Sequence, residues 1–208
     1  MTVRLPSNGI AAASPYFIDY GGVTGGSIGG PDQRLDRLGS RWGCDFTTKP
    51  MKGEEARIWI ARLIVGVREK AIIKFPQPGV VVLHPELDIF KPTMAANAEV
   101  GYAVTTFGGG GTSKATLKEG QFISWVQDGK NYLHQSTRDQ SAGAPEAEGI
   151  DRFNFRFQPP VRRATVADGT KVNFTTPDIE GYVKGDAKKW NIDQARIYGL
   201  SFTIEEAE

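Results

Sequence analysis

A mainly β chain with a single long helix is the fold class the sequence predicts, and three observations predict it. The 208 residues include 25 Gly and 12 Pro, about half as many again as an average chain carries, which calls for many turns and hence many short strands. Helical periodicity is found in one stretch only, Glu54 to Lys70. Elsewhere, apolar residues alternate with polar ones in short runs bounded by Gly, Pro, Asp and Asn. With 39% apolar and 24% charged residues, the chain is long enough for one large domain or two small ones without disulfides or metals. Neither disorder nor a miniprotein fits.

Taken in order, Tyr16, Ile18 and Tyr20 alternate before a Gly-rich run from Gly21 to Pro31, which predicts a short strand feeding a long mobile loop. Trp42, Cys44 and Phe46 alternate with Gly43, Asp45 and Thr47, a half-buried strand stopped by Pro50, with Cys44 on its inner face. In the helix, Ala56, Trp59, Ile60, Leu63, Ile64 and Val67 form one apolar stripe. Glu54 and Glu55 at its start and Arg68 and Lys70 at its end suit the helix dipole, although neither Lys52 nor Gly53 is a strong N-cap. Strands are expected at Ala71 to Phe75 and at Val80 to Leu83.

Between about Phe90 and Thr175 no helical period appears. Phe107 to Thr112 reads as a flexible turn, Gln121 to Val126 as a strand, Asp128-Gly129 as a hairpin turn into Tyr132 to Ser136, and Ser141 to Gly149 as a polar tip. Phe153, Phe155 and Phe157 alternate with Asn154, Arg156 and Gln158, the clearest inward and outward strand in the chain. Asp168-Gly169 turns into Val172 and Phe174. A sheet-like pattern then returns at Tyr182-Val183, at Trp190 and Ile192, and from Tyr198 through Leu200 and Phe202 to Ile204. Since the helix needs a larger sheet than its neighbours supply, the simplest arrangement is a split domain, residues 1–92 with 175–208, around an inserted β domain, residues 93–174.

Composition excludes several functions. Lys and Arg number 25 against 24 Asp and Glu, so no global field attracts nucleic acid, an anionic membrane or acidic substrates. One cysteine forbids an intrachain disulfide and every Cys-rich zinc motif, and His84 and His134 lack companions at ligand spacing. Met1 to Ala13 holds no apolar run of signal-peptide length, and the stretches at Leu63 to Val67 and Gly79 to Leu83 are too short to span a membrane. The expectation is a soluble protein made in the cytosol.

The Gly25 to Gly30 spacing fails as a phosphate loop because Pro31-Asp32 stands where Lys-Ser/Thr is required. His134 with Ser136 and Asp139 lacks a nucleophile elbow, and the pairs Asp32/Asp36, Glu54/Glu55 and Glu146/Glu148 read as solvated surface. The Arg residues around Phe153 to Phe157 read as the solvated face of a core strand rather than a nucleic-acid platform.

One ordered set of segments carries more than composition does. Gly30-Pro31-Asp32-Gln33-Arg34-Leu35-Asp36-Arg37-Leu38-Gly39-Ser40-Arg41-Trp42, then Lys49-Pro50-Met51, then Glu54-Glu55-Ala56-Arg57 with Trp59 resembles the opening of tail-tip proteins of long-tailed phages. Leu117-Lys118-Glu119-Gly120-Gln121-Phe122-Ile123, Pro159-Pro160-Val161-Arg162, Trp190-Asn191-Ile192-Asp193 and Tyr198 to Ala207 follow in the same order. The whole is similar to the distal tail (Dit-like) baseplate proteins of siphophages and related phage-like particles.

The resemblance implies a tail-tube-like β-sandwich with one flanking helix, here with an inserted small β-barrel, and a structural virion protein rather than an enzyme. Such a protein forms a homo-oligomeric ring, usually a hexamer, at the tail tip. The ring sits between the tail tube protein and the tail hub or tail-associated protein, near the tape measure protein. DNA passes through its channel without specific binding. No cofactor and no membrane insertion are expected. Lys52 stands where relatives often carry a capping Ser or Thr. Head-to-tail ring contacts assign Arg34, Arg37 and Arg41 to the oligomer interface. The rival readings are a carbohydrate- or receptor-binding module using Trp125 or Tyr132, and a cell-wall hydrolase using His84 and His134.

Overall fold

The computed structural model describes residues 2–25, 29–35, 37–80, 92–108, 116–141, 152–184 and 197–207. Its first part supplies β1 (Val3–Arg4), β2 (Ile10–Ile18), β3 (Gly22–Thr24), β4 (Gln33–Leu35), β5 (Arg41–Thr48) and β6 (Met51–Lys52). Helix α1 (Gly53–Arg68) leads to β7 (Ala71–Lys74). The middle holds β8 (Thr93–Met94), β9 (Val104–Gly108), β10 (Thr116–Leu117), β11 (Phe122–Gln127), β12 (Lys130–Ser136), β13 (Gln140–Ser141), β14 (Arg152–Gln158) and β15 (Val172–Asn173). The chain returns with β16 (Asp178–Lys184), β17 (Ile197–Tyr198) and β18 (Ser201–Glu206). The protein is therefore mainly β with one helix among the described residues, as expected.

Two six-stranded sheets organise these elements. The first runs β1-β7-β16-β18-β5-β2, so β16 and β18 occupy its middle and the C-terminal hairpin completes a sheet begun by residues 3–74. Only the β1–β7 pair is parallel. Period-two alternation turns Cys44 and Phe46 of β5, Phe202 and Ile204 of β18, Val183 of β16 and Ile73 of β7 into one core. Helix α1 covers that face with Ala56, Trp59, Leu63 and Gly66, and the Phe46 and Phe202 rings stack at 5.3 Å beneath Trp59. Cys44 is fully buried, and burial pushes its thiol up to about 12.

The helical stripe differs from expectation at one position. Ile64 is exposed, whereas Gly66 is buried. A Cβ at Gly66 would stand 2.8 Å from Val183 Cγ2 and 2.9 Å from Ala71 Cβ, so the helix lies closest to the sheet where it has no side chain. Lys52 makes no side-chain cap.

The second sheet runs β15-β11-β12-β14-β9-β8. Its end strands meet: Thr93 bridges Lys171, Val172 N–H donates to the Pro92 carbonyl at 2.8 Å, and Met94 N–H to the Thr170 carbonyl at 2.9 Å. The sheet thus comes close to closing as a small barrel around Phe107, Ile123, Trp125, Phe155 and Phe157. Asp128 and Gly129 both take positive φ, 48° and 71°, as the tight β11–β12 hairpin requires.

Three expectations change here. Phe107 and Gly108 belong to β9 rather than to a turn, because the Phe107 ring is wholly buried in the barrel. The Gly-rich loop begins and ends as a paired ribbon, with Gly22, Val23 and Thr24 opposite Leu35, Arg34 and Gln33. The terminal strand is broken at Gly199-Leu200, since β17 pairs with β6 whereas β18 pairs with β5. Of the strand expected at Val80 to Leu83 only Val80 is described, and it lies in no strand; its remainder, most of the polar tip, and Trp190 with Ile192 lie outside the described residues.

The barrel and the first sheet share a packed seam. Phe122 of β11 meets Trp42 at 5.0 Å and Phe75 at 4.5 Å between ring centroids. Glu206 lies at the centre of the seam: its Oε1 accepts Leu133 N–H at 2.6 Å, and its Oε2 accepts Trp42 N–H at 2.9 Å and Arg162 Nη2 at 2.8 Å. Glu180 similarly accepts from the backbone and side chain of Asn131, and from Thr2.

Candidate assembly surface

Two of the three arginines assigned from sequence come together. The C-terminal end of β2, the β4–β5 connection and two barrel segments, at Gly101 to Ala103 and at Gln158 to Pro160, enclose a cleft of about 630 Å³. Arg34 and Arg37 line it, with Asp19 and Ser40 on the polar side and Phe17 and Leu38 on the apolar side. Phe17 is 40% exposed and Leu38 46%, two large apolar groups that no described residue covers at the cleft.

Asp19 organises the polar side. Its carboxylate accepts Gly21 N–H at 2.8 Å, Ser40 Oγ at 3.0 Å and Arg34 Nη2 at 3.1 Å. The Gly21 bond first, then the Ser40 bond and the Arg34 charge, hold its carboxyl below the usual range. The pairing ties the ribbon arginine, whose side chain stays 63% exposed, to the wall of the cleft.

Arg41 goes elsewhere. It sits at the start of β5, donates through Nη2 to Tyr20 Oη at 3.0 Å and places its guanidinium 5.2 Å from the Tyr20 ring centroid. Sequence reading missed Phe17 and Leu38. Phe17 falls on the opposite parity from Tyr16 and Ile18, and Leu38 is a lone apolar residue between Arg37 and Gly39; that isolation was the available signal.

Among the described residues, those considered for catalysis form no catalytic arrangement. His134 Nδ1 donates to the Pro159 carbonyl at 2.8 Å and its ring stacks on Trp125 at 3.8 Å. Ser136 Oγ donates to the Arg138 carbonyl. Asp139 accepts Glu119 N–H and Lys118 Nζ, bonds that hold its carboxyl low. His84 lies outside the described residues. Trp125 and Tyr132, the aromatics considered for glycan contact, are 1% and 2% exposed, because the barrel interior and the Arg162 guanidinium cover them. Among the described residues no group of three His, Cys, Asp or Glu could hold a metal ion.

Burial, and after it the Arg162 charge, push the His134 imidazole well below its ordinary value, against the opposing Pro159 bond. The folded state therefore holds it neutral. That stability is fully present above the unfolded value near 6.5 and is lost as pH falls below it. Between pH about 7.5 and about 5.5, unfolding free energy from urea titration is expected to fall by up to about 1.4 kcal/mol per pH unit below about 6.5. His134→Gln should flatten that slope, and an unchanged slope would remove the assignment.

Compared with known proteins, the chain matches no family model and no curated protein.

Proposed function

We propose that the chain is a structural subunit that joins copies of itself head to tail into a closed ring, the distal tail role that its sequence resemblance implies. In that role six copies sit between the tail tube protein and the tail hub, and DNA passes through the channel without specific binding.

The observation that supports this reading is the unlike pair of ends on the first sheet. One edge is β1, two residues in parallel pairing, and the other is β2, nine residues in antiparallel pairing. Among the described residues neither edge has a further strand beside it. Beside β2 stand the β3–β4 ribbon and the cleft with its exposed Phe17 and Leu38. Two different patches on one subunit give a heterologous contact, and repetition of one rotation closes such contacts into a ring.

Negative-stain images and sedimentation of the purified chain, at high concentration and with its tube protein, test the reading. Rings of uniform, six-fold size are expected. A chain that stays monomeric under both conditions would end it.

A further inference from the structure

Helix α1 has a second apolar line that the sheet does not use. Glu54, Ile58, Ala61 and Val65 recur at i, i+4, i+7 and i+11, a single row along the outer face, and all four are exposed. Ile58 is 46% exposed and Val65 39%, where a surface helix ordinarily presents charge. The row begins with an acid: Glu54 and its neighbour Glu55 enter no ion pair among the described residues.

The cleft offers the complement. Its apolar side is Phe17 and Leu38, and among the described residues its rim carries Arg34 and Arg37 against the one acid Asp19. The two patches stand at opposite ends of β2. A Cβ placed on Gly9, just before that strand, would stand 3.7 Å from Trp59 Nε1 on α1, whereas Phe17 reaches the cleft at the far end, roughly 25 Å away along an extended strand. No copy can fill its own cleft with its own helix.

We propose that the Glu54-Ile58-Val65 face of α1 in one copy seats in the Arg37-Leu38-Phe17 cleft of the next copy. The inference rests on the self-assembly reading and names its contact: apolar row on apolar wall, with the acidic first turn of the helix at the arginine rim. Buried aliphatic contact supplies the attraction, and the charges set direction and partner choice.

Charge reversal and disulfide trapping of the full chain test it. Arg37→Glu and Glu54→Arg should each weaken self-association, measured by sedimentation, by at least about tenfold, and the two together should restore most of the loss. Leu38→Cys with Ile58→Cys in one chain should give, on oxidation, a ladder of linked copies that ends at the ring number. Each Cys variant alone should give none, Cys44 being buried. Rings that form with no ladder, and that ignore both charge reversals, would overturn this contact and leave the self-assembly reading standing. A chain that never self-associates would overturn both.

Discussion

A Glu206→Ala protein is expected to lose about 3–5 kcal/mol of folding stability, read as a lowered urea midpoint at unchanged slope. The carboxylate has no exposed surface and the Arg162 side chain is only 5% exposed. Removing the acid leaves a cation inside the seam, held only against the Tyr132 ring at 4.8 Å. It also strips Trp42 and Leu133 of the acceptor for their N–H groups, and each buried donor left unmet costs about 1–3 kcal/mol.

Glu206→Gln should cost less, because one oxygen remains to accept while the amide nitrogen faces a donor. Pairing Glu206→Leu with Arg162→Leu should recover part of the loss, since the pair's desolvation vanishes with the pair. A loss under about 1 kcal/mol for the alanine variant would mean that the seam opens to water and the pair is not buried as described.

Gly181→Ala is expected to be the most damaging single-methyl change, at or beyond the upper end of the about 1–3 kcal/mol usual for overpacking. A Cβ there would collide with the Glu205 carbonyl and stand 2.9 Å from Glu206 Cα. Both are backbone atoms of the adjacent central strand, and β16 cannot move away without breaking its pairing with β7. Gly43→Ala is the control. Its Cβ would meet the Tyr16 ring, with Oη 2.6 Å away, but that ring can swing out and forfeit only its bond to Glu205. Thermal melts should therefore place the Gly181 variant well below the Gly43 variant, and equal melting points would contradict this account.

The features legible from sequence were those set by neighbouring residues. The α1 period, the Trp42-Cys44-Phe46 alternation, the Phe155-Phe157 alternation and the Asp128-Gly129 turn each express a local rule, and each is found in place. Features set by distant partners were not legible. Ile64 faces outward because Val183 and Ala71, 117 and five positions from Gly66 along the chain, admit the helix most closely at that glycine. The break at Gly199-Leu200 exists because β6 and β5 claim successive segments of one alternating run.

For the candidate surface, the sequence carried the arginines but not their grouping. Arg34 and Arg37 reach one cleft only because barrel residues Gly101 and Pro160 form its far wall, and Arg41 is drawn to Tyr20 by a contact across 21 positions. Glu206 was closer to legible than it looked. It shares parity with Phe202 and Ile204, and an acid on the inward face of a strand implies a buried partner.

The central place of Ser201–Glu206 in the first sheet also governs when the protein can fold. Asp45 must wait for Thr203, 158 positions later, before β5 gains its inner neighbour. During synthesis the early strands therefore leave the ribosome with an apolar face and no sheet to close over it. The barrel, made from one continuous stretch, can mature first. Such a chain gains from slow, chaperone-shielded production of its first half, and a nascent chain halted before residue 201 should be protease-sensitive in its opening segment while its middle resists.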